Sequence, residues 1–340
     1  MKSIILPPLG TLYGAITRAR ASLYERGTFR SSLLPLPVIS VGNITAGGTG
    51  KTPLVEWVAR TLAGADKKVC ILTRGYGRDN PNEHILVSDF KKVLSNPNAA
   101  GDEPYLLASN LLGIAAVVSD ANRLRGGQGA IKHLGAECFV LDDGFQHLQL
   151  KRDLNIVTID ATNPFGGAKM LPVGLLREPL SGLKRADCFV LTRCDQIDEV
   201  NSVHSELAKL SGDRPIFHSR MATRGVKPIH NSATSNPSQP IAAFCAVGNP
   251  TSFFNQLRAS GYEVSLQKSF PDHHRYTQQE VDALNESAKQ SGALSLITTA
   301  KDAVKLQTLS TSLPTYSLEI EIEIENSAEL RRLIIEALNR

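Results

Sequence analysis

The residues best equipped for chemistry lie at 38–52, VISVGNITAGGTGKT. An apolar strand runs into a glycine-rich turn, and a helix opens at Lys51, Thr52 and Pro53. Such a turn points successive backbone N–H groups at one place, and the helix start adds partial positive charge there, so a phosphate chain is the matching ligand. The lysine of such a loop reaches the outer phosphates and the next hydroxyl holds magnesium. Thr45, Ala46, Gly47, Gly48, Thr49, Gly50, Lys51 and Thr52 are thus expected to bind ATP, with Thr52 also a Mg2+ ligand. The standard GxxxxGK[ST] spacing would require glycine at Thr45. The residues present instead resemble the GGxGK[ST] core of a variant loop, in which a lysine usually stands where this chain has Ala46.

Other residue sets supply what a phosphate loop lacks. In FVLDDGFQH, 139–147, an apolar strand ends in acids, as a magnesium-holding partner strand does. Asp142 comes off the strand first and is the metal candidate; Gln146 and His147 lie close enough to line the same site. GDEP at 101–104 opens a helix, and Asp102 reads either as its N-cap or as a carboxylate that accepts a proton from an attacking hydroxyl. Arg177 and Glu178, in the proline-bounded LPVGLLREP, are either a solvated pair or a charge-neutralising arginine beside a metal-assisting glutamate. TRGYGR, 73–78, is a surface turn or a loop that brings Arg74 and Tyr76 to a phosphorylated ligand. In FPDHHRYT, 270–277, adjacent histidines project differently and make a poor metal pair; they cap the next helix or handle protons across a cleft.

These segments need a scaffold, and the apolar pattern supplies one. Strand-length runs at 68–73, 114–120, 137–142, 154–160 and 187–192 alternate with helical stretches, and each ends in Asp or Thr. That is the pattern of an α/β, P-loop NTPase-like, doubly wound and mostly parallel sheet with its ligand crevice at the strand C-termini. A polar connection at 231–240 precedes a second, smaller α/β domain. The strand at 316–325 is expected to return and pair with 216–221 as a two-stranded hinge. The expected division is a basic N-terminal helix at 1–34, a catalytic domain at 35–224, the smaller domain at 225–315, and a returning strand and helix at 316–340.

Composition narrows the setting. Five cysteines without metal-ligand spacing read as reduced core thiols. Residues 1–34 hold Lys2, Arg18, Arg20, Arg26 and Arg30 against Glu25, which accounts for the whole formal charge of +4. The arginines interleave with Leu9, Leu12, Tyr13 and Ile16, but no apolar run is long enough to span a bilayer. The helix lies on an anionic membrane or packs on the domain, and the two readings are compatible.

Taken together, SVGNITAGGTGKTP, TRGYGR, GDEP, LDDGFQH, LPxGxLREP, FPDHHRYT and TTAKDAVK (298–305) resemble the tetraacyldisaccharide 4′-kinases of lipid A biosynthesis, in the same order along most of the chain. The resemblance implies transfer of the γ-phosphate of ATP to the 4′-hydroxyl of a tetraacylated disaccharide 1-phosphate, giving lipid IVA. It also implies a peripheral protein at the cytoplasmic face of the bacterial inner membrane. The implied partners are that lipid and the anionic surface, with no nucleic acid and no obligate protein partner. By resemblance, Asp102 is the base with His273 assisting, Lys51 and Thr52 hold ATP and Mg2+, and Asp142, Gln146 and Glu178 bear on the metal. Asp143, His147 and Arg177 fall near the reaction centre. Arg74, Tyr76, Asn122, Arg123 and His147 fall to the acceptor, although DANRLR, 120–125, has Ala121 and Asn122 where a more basic pattern is expected. The competing readings are a nucleotide-dependent switch or assembly ATPase or GTPase of the variant-loop class, and a membrane-binding module without catalysis.

Overall fold

The computed structural model describes residues 2–229 and 235–339, with side chains from residue 8 onward. The sheet elements are β1 (Val38–Gly42), β2 (Val69–Thr73), β3 (Ile85–Ser88), β4 (Ala115–Ser119), β5 (Cys138–Asp142), β6 (Leu154–Asp160), β7 (Cys188–Thr192), β8 (Ile216–Pro228), β9 (Ile241–Cys245), β10 (Val264–Ser269), β11 (Ser295–Thr299) and β12 (Thr315–Ile324). The helices are α1 (Lys2–Glu25), α2 (Lys51–Ala63), α3 (Pro97–Ala100), α4 (Asp102–Asn110), α5 (Arg123–Leu134), α6 (Val200–Ser211), α7 (Pro250–Ala259), α8 (Gln278–Gln290), α9 (Ala300–Leu306) and α10 (Ser327–Ala337).

All the strands join one 12-stranded sheet in the order β10-β9-β11-β12-β8-β7-β6-β1-β5-β2-β4-β3. From β7 to β4 every pairing is parallel, and only the edge strand β3 runs against its neighbour there. The central strands are apolar on both faces because both are covered. In β2, Val69 and Ile71 face the helices α2, α4 and α10, while Cys70 and Leu72 face the α5 side.

The expected hinge exists but is longer than the sequence suggested. β8 pairs with β12 antiparallel from Ser219↔Ile324 to Pro228↔Tyr316, with a register shift between Glu319 and Ile320. The boundary expected at 224/225 therefore falls inside β8, and the units share one sheet. The returning C-terminal segment is also not separate: Leu330, Ile334 and Ala337 of α10 are buried in the larger unit's core with Val55 and Val58 of α2. β9, β10 and β11 form the smaller unit with α7, α8 and α9, around Phe244, Leu257, Leu284 and Leu296. Of the polar connection, 231–234 lie outside the described residues. The antiparallel edge β3 carried no expectation, since a four-residue strand is too short to show a period.

The N-terminal helix packs on the larger unit through its glycines. A Cβ at Gly10 would lie 3.1 Å from Val173 and one at Gly14 3.2 Å from Met170, so the start of the LPVGLLREP segment and the Met170 just before it receive α1 at close range. Arg20 then donates to the backbone of Gln146 at 3.2 Å. The opposite face stays open: Leu12 and Ile16 are 57% and 58% exposed and share a stripe with Leu9 and Tyr13. Among the described residues no helix is long and apolar enough to cross a membrane.

Candidate active site

β1 sits between β5 and β6, so the phosphate loop emerges beside the end of the acidic strand. Gly50 caps α2 with φ 80°, and a Cβ there would meet Met221 at 2.6 Å, so only glycine fits the turn. Asn43 braces the loop from within, donating to the Thr45 carbonyl at 2.7 Å and to Thr49 Oγ1 at 3.0 Å. Thr49 is thereby buried and also meets Thr158 at 2.8 Å. The Ala46 amide donates to Leu175 at 2.7 Å, so Ala46, expected among the ATP-binding donors, has its N–H committed to the fold. The amides of Gly47 to Gly50 have no such partner among the described residues and remain for an anion. The smaller unit reaches this loop as well, because a Cβ at Gly248 would strike Gly48 N at 2.5 Å.

Asp142 and Asp143 leave β5 in different directions. Asp143 adopts φ 53°, a left-handed conformation uncommon outside glycine, which turns its carboxylate toward two cations. Its Oδ1 lies 3.5 Å from Lys51 Nζ and 2.7 Å from Arg177 Nη1. Burial opposes the charged form, yet Lys51 and Arg177 hold this carboxyl well below the usual range. Asp142 accepts from Thr73 at 3.0 Å. Burial, then the nearby Glu103 and Asp143 carboxylates, push it up to about 7. A buried carboxylate among like charges is a place where a hard cation is favoured.

Gln146 and Glu178 come together but not as a matched ligand pair. Gln146 Nε2 donates to Glu178 and to the Asn43 carbonyl, while its Oε1 is buried without a partner among the described residues. Glu178, expected to bear on the metal, has its other oxygen paired with Arg185. Each Glu178 oxygen thus has one protein donor, Gln146 on one and Arg185 on the other. No cluster of three or more His, Cys, Asp or Glu arranged for a metal occurs among the described residues. The oxygens at the end of β5 and the start of α2 that a hard cation would draw on are those of Asp142 and Thr52, with the unpartnered Gln146 Oε1.

The N-cap reading of Asp102 does not hold. α4 starts at Asp102 itself, Gly101 is the cap residue at φ 96°, and no side chain caps the helix. The carboxylate instead faces the smaller unit, with Oδ2 4.0 Å from His273 Nδ1 and 3.6 Å from Lys305 Nζ. Burial would raise this carboxyl, but the neighbouring His273 imidazole and the charges of Lys305 and Lys301 hold it below the ordinary range. The two histidines separate as their neighbouring positions require. His273 sits at φ 61° and faces Asp102, with its ring 4.9 Å from Tyr76. His274 stacks on Phe270 at 5.0 Å and pairs with Glu280 at 3.1 Å, inside the smaller unit's structure. Neither caps α8; Thr277 does that, in a capping box with Glu280.

Two of the acceptor candidates, Asn122 and His147, share a cavity on the α1 side. A cavity of about 500 Å³ is lined by Tyr24, Arg30, Asn122, His147 and Gln149, among others. Burial and then Arg123, Arg152, Arg20 and Arg74 push the His147 imidazole down to about 4, so it is neutral near pH 7. Arg123 is buried, with Nε unpartnered among the described residues; burial lowers it to about 10 although Asp142 and Asp143 oppose that. Asn122 has a structural task, capping α5 by accepting from Arg125 N at 3.1 Å. In the TRGYGR loop Gly75 packs against Ser119 and Ala100, Arg78 braces the turn from inside, and Tyr76 stays 66% exposed at the cleft.

Four site residues carried no individual expectation: Asn43, Glu103, Lys301 and Lys305. The four-residue spacing of the two lysines, which puts them on one helical face, was the available signal.

The chain matches the family described as tetraacyldisaccharide-1-P 4′-kinase over residues 2–339. It is 38% identical over 314 residues to the tetraacyldisaccharide 4′-kinase of Desulfotalea psychrophila, covering 91% of this chain and 90% of that one. It is 41% identical over 302 residues to that of Geobacter metallireducens, covering 89% and 88%. The crystal structure of LpxK from Aquifex aeolicus in complex with ATP superposes with a TM-score of 0.75 at 33% identity, over 97% of this chain and 98% of that one. Whole-length identity of this order, together with a phosphate loop, an acidic partner strand and a carboxylate–histidine pair in one cleft, places the chain in the tetraacyldisaccharide 4′-kinase family, among the P-loop kinases of lipid A biosynthesis.

Proposed function

We propose that this cleft transfers the γ-phosphate of ATP to the 4′-hydroxyl of a tetraacylated disaccharide 1-phosphate, with Asp102 as general base. The observation that carries the reading is the Asp102 carboxylate, kept charged beside His273, with its neighbour Glu103 within the field of Lys51 at the end of a loop of free amides. The hydroxyl proton passes to Asp102 as the 4′-oxygen bonds to phosphorus, and the bond from phosphorus to the bridging oxygen of ADP breaks. Loop amides and Lys51 neutralise the phosphates, and Lys51 exchanges Asp143 for the triphosphate as it does so. Arg177 stays on Asp143 and keeps that carboxylate ionised. A bound Mg2+ would screen the transferring charge, held by Asp142, Thr52 and Gln146 Oε1. His273 orients Asp102 and carries part of the proton load, while neutral His147, Arg123, Arg74 and Tyr76 receive the sugar and its 1-phosphate.

The same reading places the enzyme peripherally on an anionic membrane at the cytoplasmic face. The exposed stripe of Leu9, Leu12, Tyr13 and Ile16, with Arg18 and Arg26 nearby, supports that orientation. No separate observation favours the switch or assembly reading. Labelled ATP and the disaccharide 1-phosphate, mixed with the protein in detergent, should yield a labelled lipid. Its absence would overturn the proposal.

A further inference from the structure

The carboxylate proposed as the base belongs to the larger unit, yet both groups on its Oδ2 come from the smaller one. Lys305 is the more buried of its partners, only 6% exposed. An ammonium in that position needs compensation, and Asp302 supplies it from one turn away at 3.0 Å. Asp302 is itself fixed: it is wholly buried, accepting from the Ala246 amide at 2.9 Å at the end of β9 and from Thr299 Oγ1 at 2.7 Å. The side chain of Lys305 therefore has a set direction, and that direction is across the cleft to α4. Lys301, one turn earlier on the same face, makes the parallel contact, 3.0 Å from Glu103, and also lies 3.2 Å from His273 Nε2 and 3.5 Å from Asp272.

We infer that Lys305 is a positioning residue for phosphoryl transfer, holding Asp102 as an oriented carboxylate, and that Lys301 does the same for Glu103 and His273. The base is complete only when α9 of the smaller unit is docked on α4. The inference rests on the reading of Asp102 as base. The groups facing Asp102 are His273 from the turn before α8, Lys301 and Lys305 from α9, and Glu103 beside it on α4. Removing Lys305 leaves His273 and the Lys301 charge to favour the charged form, so the carboxyl rises part of the way toward its ordinary value.

The test uses the full-length enzyme in detergent with ATP and the lipid acceptor, comparing Lys305→Met, Lys305→Arg and Asp102→Asn across pH. Lys305→Met should lower kcat about 10-fold to 100-fold with the KM for ATP within about two-fold, and move the acid limb of the rate profile up by about 0.5 to 1 pH unit. Lys305→Arg should restore most of the limb and part of the rate, because a cation returns on a longer arm. Unchanged ATP-analogue binding by Lys305→Met shows a folded larger unit. If binding is lost, Asp302→Asn, which removes the charge that braces Lys305 while keeping one oxygen to accept from the Ala246 amide and Thr299, must shift the limb in the same direction, and no shift there overturns the inference. A wild-type limb and rate in Lys305→Met, with Asp102→Asn inactive, would overturn the inference and leave the base reading standing. An active Asp102→Asn would overturn the base reading itself.

Discussion

The two halves of the cleft are built on different plans. The nucleotide half is assembled almost entirely by the larger unit: β1, the loop and β5 are neighbours in one parallel sheet, and Asn43 ties the loop to itself and to Arg177. The base half is a contact between units, with Asp102 and Glu103 on α4 answered by His273, Lys301 and Lys305 across the gap. The first half is fixed by sheet hydrogen bonds and buried packing, which have steep, short-range minima. The second is fixed by ion pairs that exist only in the docked arrangement. Nucleotide affinity is therefore expected to survive damage to the base half, while turnover does not.

Asp102→Asn gives the largest break in that comparison. Turnover should fall by about 10²-fold to 10⁴-fold while nucleotide binding changes little, as steady-state kinetics with ATP titration will report. Equal losses in both would erase the distinction between the halves. His273→Gln should act in the same direction but more weakly, about 10-fold to 10²-fold on kcat, since His273 supports Asp102 and is not itself the proton's first acceptor.

The pH profile sharpens the picture next. Asp102 is held below the ordinary carboxylate range in the folded protein, so its charged form is present above that range and is lost as pH falls through the lowered value. Its contribution to stability follows the same sign: present at neutral pH and lost on acidification. Activity should fall on the acid side at a lower pH than an unassisted carboxylate would give, and a limb above that range would contradict the electrostatics described for the base half.

Two smaller effects lie outside the cleft. Leu12→Glu with Ile16→Glu should reduce sedimentation with anionic vesicles while leaving the rate on detergent-dispersed acceptor within about two-fold, because that face of α1 buries nothing. Retained vesicle binding would mean that α1 serves only to brace the loop at Gln146. Thr277→Ala removes the capping box of α8 and should cost about 1 kcal/mol, read as a lower Tm with nucleotide affinity unchanged.

Much of the nucleotide half is legible in the residue string, because its chemistry is local. A strand, a glycine turn and a lysine at a helix start are contiguous in sequence, and GGTGKT states them in order. Even there the contacts of Ala46 and Glu178 run to residues outside their own motifs, Leu175 for one and Arg185 for the other. For the base half the sequence offers GDEP and DHH with two readings each. The choice comes from a left-handed backbone at His273 and a glycine cap before Asp102, neither of which a residue string displays.

The sequence by itself determined the alternation of strands and helices, the loop that takes phosphate, and the cationic end. Each of these depends on neighbours within a few residues. Only the tertiary structure decided that the expected pairing of β8 with β12 extends far enough to join both units in one sheet and that α10 completes the larger core. It alone also showed that lysines some 200 residues beyond Asp102 reach that carboxylate and its neighbour Glu103. The physical reason is that ion pairs and sheet registry between distant segments are set by how the whole chain packs, and no local pattern encodes that distance.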